Sequence, residues 1–209
     1  MSQKIQSLIT QLQQQLCQPL PGTSAHQRLM PEIRRRYPEN PDLAAAMSSS
    51  VMALFFEQTN DIRLVFIQRP LYDGVHSGQI AFPGGRTEKS DADTCQTALR
   101  ETEEETGISA KDIKVIGQLS DLYIPPSNFL VHPFVGYLTH EPHFVPDPVE
   151  VQEVFTIKLD DLLRPDAIKM RTVTGANYTA EVPCFFIDNR LIWGATSMIL
   201  SELIMVIQR

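Results

Sequence analysis

Long apolar runs are missing from this 209-residue chain. No stretch approaches the roughly 18 uninterrupted apolar residues of a membrane-spanning helix, and residues 1–20 are Gln-rich, without the apolar centre of a signal peptide. A cytoplasmic protein with no membrane partner is expected. Cysteine is scarce: Cys17, Cys95 and Cys184 are odd in number, far apart and free of C-x-x-C spacing. That fits a reducing compartment and neither a disulfide framework nor a zinc site. Positive charge is in short supply too, with 18 Lys and Arg against 25 Asp and Glu, a net −7, and Arg34-Arg35-Arg36 the largest basic cluster. An electrostatic footprint for a nucleic-acid duplex is thereby excluded. An anionic substrate has to be met locally, through a metal. The closing Val206-Ile207-Gln208-Arg209 carries no peroxisomal or retention signal.

Ile5, Leu8, Ile9, Leu12 and Leu16 recur at helical spacing, so residues 1–20 read as an amphipathic helix ended by Pro19 and Pro21. Residues 22–43 hold Pro31, Pro38 and Pro41 among mixed charges, the pattern of a loop with at most one short helical turn. Residues 1–47 are therefore expected to be an N-terminal helical extension and linker, with no role assigned beyond packing or contact within a homodimer. Residues 48–209 are expected to be one domain. Within it, residues 51–57 and 62–68 are β-rich runs around Thr59-Asn60-Asp61, which predicts a hairpin. Both runs are almost wholly apolar, so their sheet should be covered on both faces. A glycine-rich loop follows, then a helix over 91–106 and strands over 113–119, 130–138, 154–159 and 184–187. A helix over 195–207 closes the chain, and the mixture predicts an α/β sandwich.

The segment 91–108 carries the chemistry. At about 100° per residue, Cys95, Ala98, Leu99, Thr102 and Thr106 share one side of the helix, which should face the core. Glu101, Glu104 and Glu105, at i, i+3 and i+4, gather on another side, where like charges repel and destabilise a bare helix. Arg100 has Glu103 and Glu104 at i+3 and i+4 and offsets part of this charge. Glu101 and Glu105 are left without a nearby basic residue in the helix. A hard divalent cation completes the balance, and oxygen-only ligands without histidine suit Mg²⁺ or Mn²⁺. Gly107 is placed to end the helix with φ > 0, and the Phe82-Pro83-Gly84-Gly85 turn leaves backbone carbonyls open to a metal. A solvated acidic face is the competing reading of the glutamates alone. Against it stands the order of turn, helix and Arg100-Glu101-x-x-Glu104-Glu105-x-Gly107.

That succession resembles the box of the Nudix hydrolases, a glycine, a glutamate, then R-E-x-x-E-E-x-G. From Gly85 to Arg100 there is one residue more than in the general box, no Glu holds the expected position, and Thr102 replaces a larger apolar residue. Asp91 is the acid that precedes the helix. These departures are similar to the coenzyme A pyrophosphatase branch of the family. An upstream pattern of that branch, L-L-T-x-R-S-x3-R-x3-G-x3-F-P-G-G, aligns without gaps. Arg69, Gly78 and Phe82-Pro83-Gly84-Gly85 match it, while Pro70 stands in place of Ser and Gly74 in place of the second basic residue. Downstream, His132-Pro133, Glu150-Val151 before Val154-Phe155, and Trp193-Gly194-x-Thr196 extend the likeness, which spans residues 51–203.

The resemblance implies a Nudix-type α/β/α sandwich with a mixed sheet, preceded by the N-terminal helical extension. It implies hydrolysis of a small-molecule, CoA-like diphosphate to 3′,5′-ADP and 4′-phosphopantetheine, with no nucleic-acid partner. The implied metal ligands are Glu101, Glu104, Glu105 and the Gly85 carbonyl. Glu104, Glu105, Arg100 and Glu150 are the implied catalytic residues, and Arg69, Gly84 and Gly85 the substrate contacts. Physically, a cation offsets the diphosphate charge, Arg100 fixes Glu104 by an ion pair, and Glu150 serves as a further ligand or general base. His76 is set aside as a solvated loop residue, and Trp193 is assigned to the core rather than to stacking on adenine. Two other readings stay open: hydrolysis of another nucleoside diphosphate, such as a nucleotide sugar or dinucleotide, and a non-catalytic nucleotide-binding module.

Overall fold

The computed structural model describes residues 1–37, 43–71, 77–175 and 178–209; Gly74 and His76 lie outside them. Helices α1 (Gln3–Leu16) and α2 (Thr23–Arg28) precede strands β1 (Met47–Gln58), β2 (Asp61–Gln68), β3 (Ile80–Ala81) and β4 (Gly84–Arg86). Helix α3 (Thr94–Thr106) leads into β5 (Lys114–Gln118), β6 (Leu122–Ile124), β7 (Phe129–Tyr137), β8 (Glu153–Lys158) and the single-turn α4 (Leu159–Leu162). Strands β9 (Ile168–Gly175), β10 (Tyr178–Ile187) and β11 (Arg190–Trp193) and helix α5 (Gly194–Ile207) complete the chain.

Thr59 and Asn60 both have positive φ, the backbone that lets a two-residue turn match the twist of its flanking strands, so β1 and β2 form the expected hairpin. In the main sheet the order is β3-β2-β1-β7-β5, with β4 added to β1, β6 to β7 and β8 to β2. Among the described strands only β1 and β7 run parallel, so the sheet is mixed. Alternate β1 side chains enter opposite cores. Met52, Leu54 and Phe56 pack with Ala98 of α3 and Phe134, whereas Ala53 and Phe55 pack with Ile5 and Leu12 of α1 and Leu200 and Leu203 of α5. Burial on both faces explains why the run shows no polar alternation, and the layers make an α/β/α sandwich.

Helix α1 ends well before Pro19, and its buried Ile5, Leu8, Ile9 and Leu12 join the core against α5. The segment 22–43 is more helical than its prolines predict, containing α2 and the 3₁₀ turn Glu32–Arg36. Pro31 stands just before that turn, where a missing N–H costs no helical hydrogen bond. Three elements are tied together by Glu202 of α5, which is fully buried. It accepts from Gly22 N–H at 2.9 Å, from the Ser120 hydroxyl at 2.6 Å and its N–H at 3.2 Å, and faces His26 Nε2 at 3.0 Å. Burial works to raise the pKa of Glu202, but these partners outweigh it and hold the group below its ordinary value. Glu202→Ala leaves several buried donors unpaired, and a denaturant melt is expected to show a loss of about 3–5 kcal/mol. A loss below about 1 kcal/mol would show that water replaces the carboxylate freely.

A separate antiparallel sheet, β11-β10-β9, was outside the expectations except for its segment 184–187. The outer half of β10 alternates half-buried and exposed residues and contains Pro183, which masks the strand pattern.

Candidate active site

Helix α3 starts where the Asp93 side chain accepts from Gln96 N–H at 2.8 Å, a cap that satisfies one of the helix's orphan donors. It stops at Gly107, whose φ of 74° is left-handed and open to glycine at little cost. Between the caps the buried residues are Thr97, Ala98, Thr102, Glu105 and Thr106. Cys95 and Leu99 are only partly buried. The face that meets the core is therefore rotated from the one expected, and it takes a glutamate with it.

Opposite this helix, Phe82 stacks on Phe66 with ring centroids 5.0 Å apart and Met52 N–H donates to the Pro83 carbonyl at 2.8 Å, which pins the turn to the central strand. An ideal Cβ on Gly84 would stand 2.2 Å from the Ser50 carbonyl oxygen, and one on Gly85 would stand 2.3 Å from Glu101 Oε2. Space spared at Gly84 admits the neighbouring backbone. Space spared at Gly85 admits the Glu101 carboxylate, a closer reason for that glycine than carbonyl exposure.

Arg100 organises the acidic side differently from the helical-spacing expectation. Its Nε and Nη2 donate to the two oxygens of Asp91 at 2.9 and 3.1 Å, and Nη2 also donates to the Arg86 carbonyl at 3.0 Å. Nη1 donates to Glu101 at 3.0 Å and to Glu104 at 2.8 Å. Glu103, the expected i+3 partner, instead accepts from Ala110 N–H at 3.2 Å. Glu101 is thus not without a basic neighbour. The two-point bond to Arg100 holds the Asp91 carboxyl well below the usual carboxylate range and, with Glu101 and Glu104, holds the guanidinium charged. Asp91 acts on Arg100, not in the carboxylate group facing the glycine turn.

Glu105 is 5% exposed and its Oε2 accepts from Gly84 N–H at 2.8 Å. Burial pushes its pKa up to about 8, against the lowering by that N–H and by Arg69. Burial likewise raises Glu101, against Arg100. The charges of Glu101 and Glu150 act on Glu105, and those of Glu104 and Glu150 on Glu101, so the fold brings the exposed Glu150 into the field of Glu105 and Glu101. Arg69 reaches the turn from the other side, its Nη2 donating to the Gly84 carbonyl at 3.3 Å.

Among the described residues no three His, Cys, Asp or Glu side chains enclose an ion, because Glu101 and Glu104 are turned onto Arg100. The donor set nevertheless fits a hard divalent cation. It is all oxygen, it includes a buried carboxylate that one N–H and a distant guanidinium leave undercompensated, and Mg²⁺ needs only one or two protein carboxylates beside water and phosphate.

The turn opens onto a cleft of about 1620 Å³ lined by Arg69, Gly84 and Gly85. Trp193 and Tyr178 line it as well; Trp193, expected in the core, is only partly buried. Arg34 and Ser127 also border the cleft. No periodicity or motif in the chain marks them, since they arrive from segments far apart in sequence.

A family model for the NUDIX domain matches residues 47–175. The chain is 34% identical over 133 residues to a Photorhabdus laumondii protein named uncharacterized Nudix hydrolase NudL, covering 64% of this chain and 71% of that one. It is 36% identical over 126 residues to the mouse peroxisomal coenzyme A diphosphatase NUDT7, covering 57% of this chain and about half, 53%, of the mouse protein. A crystal structure of a MutT/nudix family protein from Enterococcus faecalis superposes with a TM-score of 0.52 at 20% identity, over 84% of this chain and 67% of the other. The matched region begins at β1 and takes in the glycine turn, the capped helix and its acidic side, and on that ground the chain belongs to the Nudix family.

Proposed function

We propose that this protein is a diphosphatase that hydrolyses coenzyme A or a derivative to 3′,5′-ADP and 4′-phosphopantetheine. The observation that carries this reading is an acidic pair, the buried Glu105 and the partly buried Glu101, packed against a glycine turn that lines a cleft large enough for a nucleotide conjugate. The likeness to a mammalian coenzyme A diphosphatase over 126 residues supports the choice of substrate.

Glu101, Glu104, Glu105 and the Gly85 carbonyl would hold Mg²⁺ or Mn²⁺. Such an ion, when bound, supplies positive charge against the diphosphate and makes water a better nucleophile at neutral pH. Arg100 orients Glu101 and Glu104, and Asp91 orients Arg100, so the carboxylates are set before substrate arrives. The Arg69 guanidinium, at the rim of the turn, pairs with phosphate oxygens. Gly84 and Gly85 line the cleft in which the diphosphate would lie. Glu104, Glu105 and Glu150 are the candidate carboxylates for taking the proton of the attacking water, and the pH profiles of their Gln variants choose among them.

The test incubates the protein with coenzyme A and Mg²⁺ or Mn²⁺, in parallel with ADP-ribose, NADH and diadenosine polyphosphates, and identifies products by mass. Release of 4′-phosphopantetheine by the wild type and not by Glu104→Gln is expected. Intact coenzyme A beside cleavage of another diphosphate overturns the substrate; no cleavage at all favours a nucleotide-binding module.

The two glycines should respond differently to alanine. At Gly85 the Cβ meets the movable end of Glu101, so Gly85→Ala is expected to leave stability within about 1 kcal/mol while cutting hydrolysis at least about tenfold by displacing that carboxylate. At Gly84 the Cβ meets Ser50 backbone, and Gly84→Ala should cost about 2–3 kcal/mol in a denaturant melt. Equal behaviour of the two variants would show that Glu101 does not need the space at Gly85.

A further inference from the structure

The cleft extends beyond the acidic turn to a corner that the catalytic groups do not use. Arg34, from the 3₁₀ turn Glu32–Arg36, and Ser127, of the 3₁₀ turn Pro125–Ser127, both line the cleft. Its guanidinium donates to the Tyr123 carbonyl and to Met198 Sδ at 3.4 Å. Two of its five N–H donors are thus engaged by described residues. No carboxylate among the described residues pairs with it, although the chain has an excess of acids. Arg190, on the same cleft, is by contrast held by Glu153 at 2.8 and 3.0 Å. The Ser127 hydroxyl is buried and finds no hydrogen-bond partner among the described residues. A partly buried cation without a counter-ion and an unsatisfied hydroxyl, both on the wall of one cleft, are each costly to keep, and an anion on the ligand would relieve that cost.

The sheet register sets the scale. Gly85 pairs with Ser50 of β1, β1 pairs with β7 through Ser48 and Leu130, and Leu130 pairs with Tyr123 of β6. Three strand spacings across the sheet and two residues along β1 separate the turn from the Arg34 contact, about 16 Å. A diphosphate lying against Gly85 occupies the near part of that span, and a ribosyl group bearing a second phosphate occupies the rest.

Resting on the coenzyme A reading, we propose that Arg34 and Ser127 recognise a phosphate monoester on the nucleoside half of the substrate, so that the N-terminal extension selects nucleotides phosphorylated on the ribose. Several N–H donors in a planar fork with an added hydroxyl suit a tetrahedral phosphate. Charge-assisted hydrogen bonds of this kind are worth about 10- to 100-fold in specificity.

Coenzyme A and dephospho-coenzyme A differ only in that phosphate, and kcat/KM for the pair is the measure. Wild type is expected to prefer coenzyme A by about 10- to 100-fold. Arg34→Met, which keeps the apolar stem, and Ser127→Ala should each shrink the preference by lowering only the coenzyme A value, with Arg34→Lys restoring part of it. Equal losses on both substrates would mean a packing role for Arg34, and an unchanged preference would remove it from recognition. A second arm is independent of catalysis: binding of adenosine 3′,5′-bisphosphate is compared with that of AMP by calorimetry. Tighter binding of the bisphosphate, lost in Ser127→Ala and Arg34→Met, supports the corner; equal affinity in the wild type overturns it. If the wild type cleaves neither coenzyme but does cleave other diphosphates, the proposed function falls, and the calorimetric arm still decides the corner.

Discussion

Glu105→Gln is expected to stabilise the metal-free protein at pH 8 and to abolish its hydrolytic activity, two effects of opposite direction from one atom. The carboxyl is buried and its pKa is pushed up to about 8, above the value near 4.5 of an unfolded glutamate. Its contribution to stability is therefore fully present below pH 4.5, where both states are protonated, and is lost as pH rises towards 8, where the folded state must bury a charge. The loss over that window is up to about 4 kcal/mol. Glutamine has the same shape and can still accept from Gly84 N–H, so the variant should keep the fold, flatten the pH dependence of melting between pH 5 and 8, and melt higher at the upper end. At the same time it removes an anionic ligand, and kcat should fall about 10²- to 10⁴-fold. A variant that is as pH-sensitive as the wild type would show that Glu105 ionises freely in the folded protein.

Cation binding should reverse that pH dependence. Mg²⁺ or Mn²⁺ at about 100 times its dissociation constant stabilises the native state by about 2.7 kcal/mol, which raises the melting temperature of a chain this size by about 5–10 °C. The increase should grow with pH as Glu105 and Glu101, both raised by burial, become available as anions. Glu101→Gln and Glu104→Gln should each remove most of the increase. An ion also has to draw these two carboxylates from Arg100, which now holds both through one nitrogen. Loss of Arg100 by substitution with Met frees them but leaves Asp91 buried without its partner, so Arg100→Met should bind the ion with less orientation and lower kcat. Absence of any thermal shift with either ion would remove the metal site.

The hairpin and helix α3 could be read from residue pattern because their signals are local: a short turn between two β-rich runs, helical spacing, a terminal glycine. The start of the helix at the Asp93 cap was not read. The all-oxygen character of the site was equally visible in Glu101, Glu104 and Glu105. The segment 22–43 was less legible, since Pro31 reads as a breaker whether it precedes a turn or interrupts one. The β9–β11 sheet was hidden by an exposed strand face whose residues carry no strong period.

Arg100 shows where local reading stops. Helical spacing offers it Glu103 and Glu104; it takes Glu104 and leaves Glu103, and pairs besides with Asp91, nine residues away in a loop, and with adjacent Glu101. The wheel also placed Glu105 beside Glu101 and Glu104 as equals, and the fold made it the buried one. Which groups can ligate, donate or carry charge is a property of residue type and is written along the chain. How strongly each holds its proton, and which cation faces it, depends on desolvation and on distances between segments far apart in sequence. Gly84 and Gly85 demand both kinds of knowledge: their identity shows that room is needed, and only the packing of β4 between Ser50 and Glu101 shows what fills it.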